Sequence, residues 1–353
     1  MMGAAWRPCV LLLLLATMRS GLHAQSCDSM QCCCHTVDMN PSGIMIGHNH
    51  PKGVWMFSYR YMSVQMRDNL AGTSKISDEV IYRDYLMSPQ NMTMNMHMVM
   101  AMYGISNRLS VMAMFNYNSM SMNMSMPAGN THMHMAGMSM SSSTGMSMNA
   151  SGIGDTRLYA VYALLNKPAH TLMLSAGINL PTGSITQKGD AGSMVPGQRL
   201  PYMMQLGSGT YDLMPGITYV LHSDRISWGS QLTGVIRPGY NSLNYSYGNE
   251  FCANTWLAYK LLPWLSTSLR AEAIATESIY GKDNDLYEII EPDSKAANYG
   301  GTRLNSYLGI NVYLKRFANS KFSFEYGLPV YQNLNGPQLA NRSLLYAGWG
   351  VSF

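Results

Sequence analysis

From Met92 to Met102 methionine occupies every second position, and the same period returns at Met120, Met122, Met124 and Met126. A period of two does not suit one face of a helix; it is the period at which a β-strand points side chains to one of its two faces. The alternation is as clean elsewhere. Leu172, Leu174, Ala176 and Ile178 oppose Thr171, Ser175 and Asn179, and Phe251, Leu257 and Tyr259 oppose Glu250, Asn254 and Lys260. From Gly53 onward twelve segments of strand length can be marked, at 53–64, 92–103, 109–119, 155–165, 170–180, 210–221, 226–236, 250–260, 265–275, 303–313, 321–328 and 343–353. Most have the roughly nine to eleven residues that a tilted membrane strand needs.

The connections alternate in length. Those at 104–108, 166–169, 222–225 and 261–264 are tight turns, whereas 65–91, 120–154, 181–209, 237–249, 276–302 and 329–342 are long. Bacterial outer-membrane barrels have short periplasmic turns, long outside loops and an even strand number. Composition agrees: only 12% of residues are charged, yet no apolar run beyond the first 25 residues approaches the roughly 18 needed for a spanning helix. The fold expected is therefore all-β, an antiparallel transmembrane barrel of about twelve strands in the outer membrane of a Gram-negative bacterium. Outer-membrane lipid is its expected surroundings. A net charge of +4 spread along the chain excludes a nucleic-acid binder, which needs clustered basic residues. No phosphate loop, His-Glu-x-x-His or nucleophile elbow occurs, so an enzyme is not expected.

Residues 1–24 are expected to be an export signal, with Arg7, an apolar run from Val10 to Ala16 and a cleavage point before Gln25. Residues 25–52 are expected to form a Cys/His-rich periplasmic tail, and 53–353 the barrel.

Several long motifs carry a family resemblance: Trp55 to Met62 (WMFSYRYM), Met92 to Tyr103 (MTMNMHMVMAMY), Asn179 to Ile185 (NLPTGSI) and Arg199 to Tyr219 (RLPYMMQLGSGTYDLMPGITY). In these the chain resembles a family of Gram-negative outer-membrane transporter proteins, related to the barrels assigned to the MetA pathway of phenol degradation. The resemblance implies a barrel and suggests transport, and supplies no substrate.

Three groups of residues could carry chemistry. Met120, Met122, Met124, Met126, His132, Met133, His134, Met135, Met138 and Met140 fall where large aliphatics vanish, so they read as a mobile thioether-rich loop. Thioether and imidazole ligands suit Cu(I) or Ag(I), which is the expected bound or transported ion, with no cofactor required. Cys27, Cys32, Cys33, Cys34, His35, His48 and His50 form a second candidate metal group, with disulfides the alternative in an oxidising periplasm. The Met92–Met102 face is expected to meet lipid. Facing the lumen are expected Arg60, His97, Asp155, Arg157, Asp212, Arg270, Glu272, Arg303 and Glu325, either pairing with one another or forming a selectivity zone. The expected function is an outer-membrane transporter or channel handling soft metal ions, with a periplasmic metal carrier or efflux component as partner. The alternatives are a channel for small hydrophobic or aromatic solutes and a non-conducting, metal-sequestering surface barrel.

Overall fold

The structure is a computed structural model and describes residues 38–127, 145–189, 197–314 and 320–353. The strands are β1 (Trp55–Gly72), β2 (Ser88–Gly104), β3 (Leu109–Ser125), β4 (Gly145–Ile153), β5 (Thr156–Asn166), β6 (His170–Leu180), β7 (Asp212–His222), β8 (Ile226–Val235), β9 (Glu250–Leu262), β10 (Leu265–Thr276), β11 (Gly301–Leu314) and β12 (Ser320–Ser352). Leaving β4 aside, each pairs antiparallel with the next strand in sequence, β3 passing to β5, and β12 returns to pair with β1, closing the barrel. Eleven elements make up the closed ring, with β4 and the short Ser74–Ile76 paired outside it. An odd ring cannot be antiparallel throughout, and β12 resolves this. Its first half pairs with β11 as far as Leu334, and its second half runs back along β1 from Leu334 to Ser352. The side-chain amide of Gln332 binds the backbone of Asn341, and Trp349 donates to Ser320 at 3.2 Å, so β12 is a hairpin that crosses twice. Twelve passes result, as the segment pattern implies.

The outer face of the band is apolar: Phe57, Val99, Phe115, Leu158, Leu174, Leu213, Leu257, Leu308 and Phe324 are exposed. Burying such a face in lipid rather than water is what stabilises a barrel in the membrane. On β2 and β3 the outward residues turn polar above His97 and Tyr117, at Asn95, Thr93, Asn91, Ser119, Ser121 and Asn123. Tyr59, Tyr61 and Tyr117 surround His97 at that level, and Tyr59 Oη lies 2.7 Å from His97 Nδ1. Aromatic belts of this kind mark a membrane–water interface. His97 therefore faces outward, against the expectation of a lumen position; its odd register pairs it with Tyr61 and Tyr117, both on the outer face.

The even positions of β2 face the lumen. Met100 and Met114 are 2% and 0% exposed, while their neighbours Val99 and Phe115 are 53% and 55% exposed. The expected assignment of the Met92–Met102 face to lipid is thus reversed, because the aromatic and branched residues at odd positions claim the lipid side. The expected loop from 120 is also replaced, in its described part, by strand. β3 runs to Ser125 and β4 pairs with it over nine residues, adding about 30 Å of strand above the belt. β4 and β5 share one edge of β3, with β5 on the lower half and β4 on the upper.

Residues 38–52 are the described part of the segment expected as a periplasmic tail, and 38–50 lie inside the lumen. Ile46 O accepts hydrogen bonds from Thr218 Oγ1 at 3.1 Å and Gln231 Nε2 at 2.8 Å, and Ile44 O accepts from Arg60 at 3.2 Å. Lys321 Nζ donates to Asp38 and to Asn40 O, and Tyr313 donates to Asp38 O. Met39, Ile44 and Ile46 are buried. An apolar Ile-x-Ile segment gains more from lumen burial than from water, and the lumen's amides satisfy its backbone.

Candidate functional site: a plugged lumen with a methionine wall

One side of the lumen is a ladder of thioethers. Across the neighbouring strands β1, β2, β3 and β4, Met66, Met92, Met122 and Met148 make one row, and Val64, Met94, Met120 and Ala150 the next. At the periplasmic end Met56, Met102 and Met112 continue the row to Tyr159 of β5. The upper rows pack against Leu200, Met204 and Leu206, which belong to the β6–β7 connection folded across the mouth. Met98, Met100, Met102, Met112 and Met114 pack with Ile44 and Ile46 of the plug and with Trp256 from the opposite wall.

Asp155, at the break between β4 and β5, holds the mouth segment in place. One carboxylate oxygen accepts from Gly183 N at 2.9 Å, and the other from Asn179 Nδ2, Ser208 N and Ser208 Oγ, each at 2.8 Å. Asp212 accepts from Thr210 Oγ1 at 2.6 Å and lies 3.5 Å from Arg237 Nε. Across the mouth, Arg199 Nη2 reaches Asp285 at 2.9 Å and the other terminal nitrogen reaches Asp283.

The side facing the ladder is polar. Arg270 Nε donates to Glu325 at 3.0 Å, and its Nη1 donates to Glu272 at 2.9 Å and to Asn254 at 2.8 Å. The guanidinium carbon sits 3.7 Å from the centre of the Tyr307 ring, and Tyr307 donates its hydroxyl proton to Glu272. Gly43 of the plug donates its backbone N–H to the second Glu325 oxygen. A Cβ at position 43 would collide with the Arg270 guanidinium, so this approach requires glycine. Arg60, Arg157 and Arg303 also point inward, level with Met98, Met114 and Ile274 respectively. The inward charges that make contacts are thus mostly paired with each other or with the plug.

Other candidate residues fare differently. Met120, Met122 and Met124 are buried in an apolar core and Met126 packs against it, so filling that core accounts for them without an ion. His132, Met133, His134, Met135, Met138 and Met140, and Cys27, Cys32, Cys33, Cys34 and His35, lie outside the described residues. His48 and His50 come together inside the lumen, beside Met56 of β1. Met56 was not singled out by sequence; its even position on β1, next to the inward Ser58 and Arg60, was the available signal.

A closed, antiparallel, twelve-pass ring with an apolar exterior, an aromatic belt and an occupied lumen defines an outer-membrane β-barrel. The chain belongs to the family described as "Putative MetA-pathway of phenol degradation", whose profile matches residues 109–286. Among solved structures, the COG4313 outer membrane channel from Pseudomonas putida F1 superposes with a TM-score of 0.58 at 15% identity, covering 88% of this chain and 99% of that one. The NanC porin (TM-score 0.42, 8% identity, 84% of this chain and 98% of that one) and the CymD monoaromatic hydrocarbon channel (0.38, 11%, 86% and 89%) agree less and add nothing to the fold assignment. No curated protein sequence matches the chain.

Proposed function

We propose that this barrel conducts small apolar solutes, aromatic ones among them, across the outer membrane, with the 38–50 segment and the mouth segment moving aside during passage. The observation that carries the reading is the inward methionine ladder from Met122 and Met148 to Met56 and Met112. The polar side of the lumen is taken up by charges paired with each other and with the plug, and the unbranched thioethers facing it give a soft apolar wall that adapts to differently shaped guests. The phenol-degradation description of the family and its solved structural relative, an outer membrane channel, fit a solute of this kind.

The test is flux into proteoliposomes of a monoaromatic compound and of a sugar of similar size. Replacing Met98, Met100 and Met114 together with Gln keeps side-chain length while making the wall polar. Flux of the aromatic should fall several-fold in this variant while sugar flux stays flat or rises. Equal flux of both solutes in the wild type, or an aromatic flux untouched by the three substitutions, would overturn the reading.

A further inference from the structure

We propose that His48, His50 and Met56 form a binding site for a soft monovalent d10 cation, Cu(I) or Ag(I), that fastens the plug to the barrel wall. His48 Nε2 and His50 Nε2 are 3.2 Å apart, and each is 3.3 Å from Met56 Sδ. Three donor atoms thus form a nearly equilateral triangle. An ion at its centre would lie about 1.9 Å from each corner, so an opening of a few tenths of an ångström reaches ordinary metal–imidazole and metal–sulfur lengths, about 2.0 and 2.3 Å.

Protons do not account for the arrangement. Asp38 Oδ2 is 3.5 Å from His48 Nδ1, so the tautomer with its proton on Nδ1 faces the carboxylate and turns the Nε2 lone pair into the triangle. Thioether sulfur carries no proton. His50 Nε2 can donate to one neighbour, which leaves His48 Nε2 and Met56 Sδ opposed lone pair to lone pair. A cation at the centre satisfies all three at once.

The donor set selects the ion. Neutral imidazole and thioether suit a soft, singly charged ion, while a hard divalent ion prefers carboxylate oxygen. Asp38, itself held by Lys321 Nζ at 2.9 Å, orients His48 from behind in the manner of a carboxylate supporting a metal-bound histidine. Because both histidines belong to the plug and Met56 belongs to β1, an ion here crosslinks the two. Solute passage would then be slower when the ion is bound.

The test uses the refolded full chain under reducing conditions, titrated with Cu(I) against bicinchoninate, in the wild type and in Met56→Leu, His50→Gln and Met102→Leu. The first two should lose one bound equivalent or weaken it at least tenfold, with Met102→Leu unchanged. Folding is checked by heat-modifiable gel migration. In the wild type alone, 15N signals of His48 and His50 should shift together on adding one equivalent of Ag(I), and hydrogen exchange of 38–50 should slow at least tenfold. The inference is overturned if Met56→Leu and His50→Gln bind as many equivalents as tightly as wild type, if Ag(I) leaves both histidine signals in place, or if Zn(II) competes on equal terms. Any of these results leaves the solute-flux reading standing, since that reading uses Met56 only as part of an apolar wall and needs no ion.

Discussion

Replacing Gly43 with Ala should release the plug. The added Cβ meets the Arg270 guanidinium, which cannot step aside because Glu272, Glu325 and Asn254 all hold it. Overpacking of a rigid site costs about 1–3 kcal/mol. Lifting residue 43 also breaks its hydrogen bond to the Glu325 carboxylate, and bonds to charged groups contribute about 1.5–3 kcal/mol. The two losses overlap, so a net of about 3 kcal/mol is a fair expectation, which at about 1.4 kcal/mol per decade is about a hundredfold shift from docked to released plug. The anchors at Ile46 and Asp38 remain, so release stays transient. Hydrogen exchange of residues 38–50, followed by mass spectrometry, reads this opening ratio directly. Gly239→Ala, in open space, is the control. Exchange rates in 38–50 that match wild type within twofold would refute the steric argument.

Replacing Arg270 with Met should leave Glu272 and Glu325 buried without their counter-charge, at a cost of about 3–5 kcal/mol in urea unfolding, and adding Glu272→Gln and Glu325→Gln should recover most of it. Met122→Ala should cost about 2–5 kcal/mol, because the thioether is buried in the upper core, and a loss under about 1 kcal/mol would show that this part of the lumen is not a packed core. In the outer β10–β11 connection, burial pushes the Glu291 carboxyl up to about 8 and the Asp293 carboxyl up to about 7. Both folded values lie above the unfolded ones, so the folded connection holds the extra protons; its stability is full below about pH 4 and is lost as pH rises through 7 and 8. Protease protection of 277–300 should therefore fall on raising the pH from about 6 to about 9, and Glu291→Gln with Asp293→Asn should flatten that fall.

The barrel was legible in the chain because period-two alternation and the short–long rhythm of connections are local properties. The segments at 170–180, 226–236 and 265–275 match β6, β8 and β10 to within a residue at each end. The alternation does not state which face is inside, since lipid and a lumen packed with apolar side chains both accept methionine. Deciding needed the neighbours: Tyr61, Val99, Phe115 and Tyr117 share odd positions and make the lipid and interface face, which turns Met92 to Met102 inward and His97 outward. Likewise Met120 to Met124 lack aliphatic neighbours in sequence, and find Val64, Leu200 and Leu206 only through pairing and the folded mouth.

What the sequence by itself determined is the strand ring, its place in the outer membrane and the soft character of its unusual side chains. These follow from periodicity, low charge and the chemistry of sulfur and imidazole, none of which depends on distant contacts. The tertiary structure alone decided that residues 38–50 fill the lumen, that Arg270 binds Glu325 beside Gly43, and that His48, His50 and Met56 converge. Each of those joins residues through ring closure and the insertion of an irregular segment, and an irregular segment has no period by which its destination could be read.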